Sequence, residues 1–245
     1  MTDHSGDPNV HRTLTRCNAL GLAAVAALTP WSGVAWAADP PKPGMAPPPN
    51  AIPPAEALQR LVSGNERYVK GELKDRDFSA GRAARAQVQY PFASILSCAD
   101  SRVAPELAFD QGPGELFVVR VAGNFVNDDL LASLEYGVQF LGTPLILVLG
   151  HSNCGALDAA IKVVKAKAVL PGHLPGLVNA LKPSVLAAQK AGSGDILDRA
   201  VAENVRRQVA RLKAAGPVVQ QLYAGKKIDI AGAVYDLATG KVALI

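Results

Sequence analysis

The stretch Phe92-Ala93-Ser94-Ile95-Leu96-Ser97-Cys98-Ala99-Asp100-Ser101-Arg102-Val103 sets an apolar run of strand length directly before a thiol, a carboxylate and a guanidinium packed into five residues. Buried strands of α/β sheets deliver functional side chains at their carboxyl ends, so this reads as a site at the end of a strand. A second run, Pro144-Leu145-Ile146-Leu147-Val148-Leu149-Gly150, ends in His151-Ser152-Asn153-Cys154-Gly155-Ala156. Two buried strands thus aim Cys98, His151 and Cys154 at one point.

The chain has three cysteines and four histidines. Cys17, His4 and His11 lie in an N-terminal segment treated below. His173 lies in the turn-rich Pro171-Gly172-His173-Leu174-Pro175-Gly176 and reads as a surface histidine. Two cysteines and one histidine remain. Structural zinc sites close their tetrahedron with four Cys or His ligands, whereas catalytic ones keep three protein ligands and an open position for water, and the remaining set is of the second kind. A Cys98 to Cys154 disulfide is the rival reading in an exported protein. His151 argues against it, because a disulfide needs no imidazole three residues away. Asp100 stands two residues from Cys98 and two before Arg102, close enough for a local ion pair that keeps the carboxylate ionised and oriented.

Cys98 and Asp100 together with His151-x-x-Cys154 resemble the zinc signature of the β-class carbonic anhydrases. Gly114-Glu115-Leu116-Phe117-Val118-Val119-Arg120, Ala122-Gly123-Asn124 and Leu134-Glu135-Tyr136-Gly137-Val138 are similar to further segments of that family, and the resemblance covers roughly residues 54 to 245. It implies Zn2+ held by Cys98, His151 and Cys154, and reversible hydration of carbon dioxide to bicarbonate and a proton by zinc-bound hydroxide. It implies a catalytic pair, Asp100 and Arg102, with Asp100 accepting a hydrogen bond from the hydroxide or, in a closed inactive form at lower pH, leaving Arg102 to become a fourth ligand. Gln89, Phe117, Ala122 and Tyr136 match positions lining the family's substrate pocket, which is completed across a dimer interface, so a homodimer or higher homo-oligomer is implied. Gly155 is expected beside the substrate, although a tight strand-to-helix turn explains that glycine equally well. Some family members carry a second, inhibitory bicarbonate site that includes a tryptophan before the first zinc cysteine. Ile95 stands at that position here, so that site is not expected.

The rest of the chain fits a single α/β domain with a central, mainly parallel sheet flanked by helices. Residues 55–62 repeat apolar positions at helical spacing after two prolines suited to a helix start. The resemblance lays such a helix across a neighbouring subunit, while the sequence equally permits packing on its own domain. Residues 75–88 read as a loop with a short helix, and residues 103–107 as a turn into another. Further expectations are a strand over 117–121, a helix over 128–140 behind an Asp cap, a helix from Gly155, a long helix over 195–215 ended by Gly216-Pro217, and closing strands over 228–235 and 241–244.

Residues 1–37 read as an export signal: Arg12 and Arg16 precede a weakly apolar run, and Ala35-Trp36-Ala37 supplies a small-x-small cleavage pattern. His11-Arg12-Thr13-Leu14-Thr15-Arg16 resembles a twin-arginine signal whose first Arg has become His. Residues 38–53 are proline-dense and read as a solvated linker, leaving 54–245 as the catalytic domain. A periplasmic or secreted protein with no stable membrane anchoring after cleavage is expected. A formal net charge of +4, from 25 basic and 21 acidic residues, shows no basic cluster that would mark a nucleic-acid partner. Two alternatives keep the same residues: hydrolysis of another small heterocumulene, carbon disulfide or carbonyl sulfide, and a non-catalytic zinc or bicarbonate-binding module.

Overall fold

A computed structural model describes residues 46–245. The leader, and the linker up to residue 45, lie outside the described residues. Five strands form one sheet in the order β2-β1-β3-β4-β5, with β1 Ala93–Ser97, β2 Leu116–Arg120, β3 Leu145–His151, β4 Asp229–Tyr235 and β5 Val242–Leu244. All neighbours are parallel except β4 and β5, which pair antiparallel. Every residue of β1 and β3 is buried, as expected for central parallel strands covered on both faces.

The strand order places a topological switch between β1 and β3, since the chain leaves β1 toward β2 on one side and β3 lies on the other. Ligand sites of open α/β sheets form at the carboxyl ends of strands at such a switch. Cys98 follows the last residue of β1, and His151 is the last residue of β3.

Helices cover both faces: α1 Pro54–Lys70, α2 Arg82–Gln87, α3 Pro105–Ala108, α4 Asp128–Gln139, α5 Gly155–Ala166, α6 Leu174–Lys190, α7 Ile196–Lys213 and α8 Val218–Ala224. One core cluster joins α1 and α3 to the sheet through Ala57, Leu61, Ala108, Phe109 and Leu147. Another packs α4, α7 and α8 through Leu134, Val205 and Val219 on Leu96 and Val148. A third is built by α5, α6 and α7 and contains Cys98 and Cys154.

Several local signals act as expected. Proline opens α1, and left-handed Gly71 closes it by donating to Arg67 O and Tyr68 O. Asp195 caps α7 by accepting from the Leu197 and Asp198 amides. The cap of α4, however, is Asn127, whose side chain accepts from Leu130 N, and Asp128 is the first helical residue. Helix α6 is not anticipated at all. Its first turn falls in the stretch read as turn-rich and Pro183 lies inside it, yet Val178, Leu181, Val185 and Ala188 form a buried helical stripe. Pro183 is tolerated because it and Asn179, whose carbonyl loses its helical donor, both face solvent.

Helix α1 packs on its own domain. A Cβ on Gly64 would stand 1.8 Å from Phe109 O, and Asn65 donates to Ala108 O and Gly240 O while accepting from Val242 N. Nor is the proline-rich segment a solvated linker up to residue 53. Asn50 is buried and donates to Pro91 O and Leu141 O, and Ile52 packs against the core, so the folded unit already includes Asn50.

Candidate metal centre

The ligand atoms of Cys98, His151 and Cys154 all lie within 4.8 Å of one another, and all three residues are buried. Both cysteines are free thiols. The disulfide alternative is therefore not the arrangement of this structure.

The imidazole is oriented for a cation. His151 Nδ1 donates to Ser152 O at 2.8 Å, which leaves the lone pair on Nε2, and Nε2 is buried without a hydrogen-bond partner. An orphaned, fully buried acceptor beside two sulfurs fits a metal ligand, whose other ring nitrogen is ordinarily held by a carbonyl or carboxylate. Ser152 is fixed in turn, its amide donating to Tyr235 O and its hydroxyl accepting from Leu237 N.

The sulfurs tell the same story. The Cys98 thiol is pulled down to about 4, first because the Cys154 S–H donates to it, with the His151 ring and the Gly123 amide adding to the effect. Cys154, as the donor, is pushed far upward. Burial alone would lower the His151 pKa, but the adjacent Cys98 thiolate outweighs it and raises the value. Cys98 is thus favoured as the thiolate and Cys154 as the thiol that donates to it, an arrangement in which a cation would take the place of the shared proton. Two thiolates and a neutral imidazole are a donor set suited to zinc.

Asp100 and Arg102 sit at the mouth. Arg102 donates through Nη2 to Asp100 Oδ2 at 2.7 Å and through Nε to Oδ1 at 2.9 Å, and its backbone amide reaches the same Oδ1 at 3.0 Å. This clamp holds the Asp100 carboxyl well below the usual carboxylate range. Asp100 Oδ2 lies 3.9 Å from His151 Nε2, beside the cluster but engaged by arginine, which is the arrangement opposite to the closed form. Arg102 also donates to Asn153 O at 3.3 Å, tying together the two loops that carry the cluster.

Of the expected pocket residues, Ala122 and Gly155 lie next to the cluster. Gly155 has an ordinary backbone conformation and nothing within 4 Å of where a Cβ would stand, so neither a strained turn nor packing within the chain accounts for it. Gln89, Phe117 and Tyr136 lie elsewhere. Phe117 pairs in register with Ser94, four residues before Cys98, or about 13 Å along the strand. Tyr136 is 6.0 Å from Phe117 between ring centroids and is stacked on Phe140 at 5.4 Å. Tyr136 and Phe140 line a surface cleft of about 960 Å³ together with Gln89 and Tyr90.

Two positioning groups escaped the sequence reading. Arg120, at the end of β2, donates to the carbonyls of Cys98, Asp100 and Val103 at 2.9, 2.7 and 2.7 Å, and so braces the whole loop. Gly123, at φ 83°, donates its amide to Cys98 Sγ at 3.2 Å. A guanidinium ending an apolar strand beside the metal strand is a legible signal for the first. The second shows only in three dimensions.

A family model described as carbonic anhydrase matches residues 93–242. The carbonic anhydrase of Mycolicibacterium smegmatis is 40% identical over 197 residues, covering 80% of this chain and 95% of its own length. Carbonic anhydrase 2 of Mycobacterium tuberculosis is 40% identical over 192 residues, covering 78% and 92%. Among solved structures, the β-carbonic anhydrase of Coccomyxa in complex with acetazolamide superposes with a TM-score of 0.60 at 31% identity, over 78% of this chain and 82% of that one. The β-carbonic anhydrase CcaA gives 0.58 at 29%, over 76% and 94%.

Proposed function

This chain belongs to the β-carbonic anhydrase family, and from that premise we propose that it is a zinc enzyme interconverting carbon dioxide and bicarbonate. The observation that carries the reading is the partnerless Nε2 of His151 set among two free thiols, with the Asp100 and Arg102 pair beside it. Cys98 Sγ, His151 Nε2 and Cys154 Sγ would hold the ion. Zinc bound there would supply Lewis acidity, lowering the pKa of water from roughly 15.7 to about 7.

The chain's own residues supply direction. Asp100, ionised across the neutral range, accepts a hydrogen bond from the attacking oxygen and so fixes which lone pair faces carbon dioxide. Held so far below neutrality, it orients and relays a proton but does not store one. Arg102 keeps the carboxylate aimed and prevents it from turning inward. The open space over Gly155 leaves room for a small apolar substrate.

Gln89, Phe117 and Tyr136 lie too far along the sheet to serve the metal of their own chain. Gln89 and Tyr136, with Phe117 beside the latter, belong to a cleft rimmed by exposed Tyr90, Tyr136 and Phe140, an apolar surface of the kind that marks an interaction site. This supports a homo-oligomer in which these residues complete a neighbouring subunit's pocket. The composition of residues 1–37 supports export before activity, with the working enzyme periplasmic or secreted.

Metal analysis of purified protein coupled to stopped-flow proton release tests the reading. One zinc per chain and accelerated carbon dioxide hydration are expected. Zinc-loaded protein inert toward carbon dioxide, but active on carbon disulfide or carbonyl sulfide, would move the substrate assignment. Inertness toward all three would leave a binding module.

A further inference from the structure

Asn204 is fully buried in α7, and nothing in the chemistry above uses it. Its Nδ2 donates to Gly123 O at 2.9 Å, and Gly123 donates its own amide to Cys98 Sγ. The orientation of the Asn204 amide is determined. Ser184 Oγ and Gln208 Nε2 both donate to its Oδ1, at 3.1 and 3.2 Å, which leaves Nδ2 for the carbonyl. Gln208 is oriented as well, because Val126 N donates to its Oε1 at 3.0 Å. The hydrogen bonds therefore run in one direction, from Val126 through two helix side chains to Gly123 and on to the metal-site sulfur.

Gly123 cannot be replaced by a bulkier anchor. A Cβ there would stand 2.7 Å from Leu181 Cδ1 and 3.3 Å from the Ala156 side chain, and its φ is in the left-handed region. Packing of α6 on α7 does not require polar groups, since Val201, Val205 and Leu212 form the same buried stripe. Buried amides are costly unless every donor and acceptor is matched. Here each side-chain nitrogen and oxygen of Asn204 and Gln208 has a partner, and the free end of the network is the residue that touches Cys98.

We propose that Asn204 is a positioning residue of the metal centre: by holding Gly123, it aims a backbone N–H at the Cys98 sulfur and so sets how much electron density that thiolate gives to the metal. A hydrogen bond to sulfur withdraws charge from it, which leaves the metal a stronger Lewis acid. The proposal rests on the reading that Cys98, His151 and Cys154 hold a metal ion.

Cobalt(II) in place of zinc tests it, because the sulfur-to-cobalt charge-transfer band reports the thiolate directly. Asn204→Leu keeps the volume and removes the donor. The expected result is a band shifted to longer wavelength, because the sulfur regains charge, and zinc affinity lower by about 10- to 100-fold in chelator competition, because the sulfur loses the group that holds it in place, a cost that outweighs its stronger donation. Asn65→Ala is the control. It removes another buried asparagine that holds two carbonyls, away from the metal, and should lower thermal stability without moving band or affinity. If Asn204→Leu does not fold, Ser184→Ala, which loosens the same amide, is expected to shift the band less but in the same direction. A wild-type band and affinity in the folded variant overturn the role of Asn204 alone, as does an equal shift in the Asn65 control. Failure of the wild-type protein to show a sulfur-to-cobalt band overturns the metal reading together with it.

Discussion

Arg102 and Asp100 form a two-pronged ion pair, Nη2 to Oδ2 at 2.7 Å and Nε to Oδ1 at 2.9 Å, while the guanidinium also reaches across to Asn153 O between His151 and Cys154. The pair therefore does more than neutralise charge. It fixes the direction of a carboxylate that stands 3.9 Å from the partnerless Nε2 of His151. Asp100→Asn, neutral and nearly isosteric, should keep zinc and fold but lose hydration rate by about 10²- to 10⁴-fold. Arg102→Ala should show a related loss. The double variant should be less impaired than the product of the singles, as for groups that act as a unit. Rates must be read against measured zinc content. A zinc-replete Asp100→Asn protein with full activity would return Asp100 to a turn residue.

The separation between Tyr136 and the Cys98, His151 and Cys154 cluster of its own chain gives a second expectation. Tyr136 is 47% exposed and lies in the cleft shared with Gln89. Tyr136→Arg should place a charge in the proposed subunit interface, yield monomers in sedimentation velocity, and lower activity while leaving the intrachain zinc ligands intact. A variant that remains oligomeric and fully active would show that this face is not where subunits meet.

The parts of the fold written in local pattern were legible, and those written in long-range contact were not. β1 and β3 announce themselves because both faces are buried, which makes apolar runs continuous. The meeting of Cys98 and His151 follows from the carboxyl ends of those strands. Helix α6 was hidden because Pro175, Gly176 and Pro183 speak of loops, whereas tertiary packing of Val178, Leu181 and Val185 decides the outcome. Asn50 was hidden in proline-rich composition, although its amide binds carbonyls 41 and 91 residues away. Asn204 and Gln208 left a faint trace as amides spaced four apart within the apolar stripe of α7. What that spacing serves is visible only once Gly123 lies opposite.

Removal of residues 1–37 can be followed without a label, because Trp31 and Trp36 are the chain's two tryptophans. Protein recovered from the exported fraction should show tyrosine-only emission and a mass beginning at Ala38. Tryptophan emission with an intact mass that includes the leader would count against cleavage after Ala37.

Asp110 offers a pH test remote from the metal. Its carboxylate is almost fully buried and accepts from Arg67, Arg76 and the Lys74 amide, so that α1, α3 and the loop between α1 and α2 converge on one charge. Burial by itself would raise the Asp110 pKa, but the Arg76 and Arg67 hydrogen bonds outweigh it, and the value in the folded protein is lowered. A lowered folded pKa contributes stability that is fully present above the unfolded carboxylate value of about 3.9 and is lost as the pH falls through the folded value. Asp110→Asn should therefore be less stable than the parent at pH 7, by up to about 3 kcal/mol, because removing one partner of a buried pair leaves the others uncompensated and both arginines keep some contact with water. The gap should begin to close only below about pH 3.9. Urea unfolding of both proteins, followed by circular dichroism across that range, measures it. A gap that stays constant into strong acid would mean that the ionised form of Asp110 contributes nothing, and that the variant's defect is one of packing.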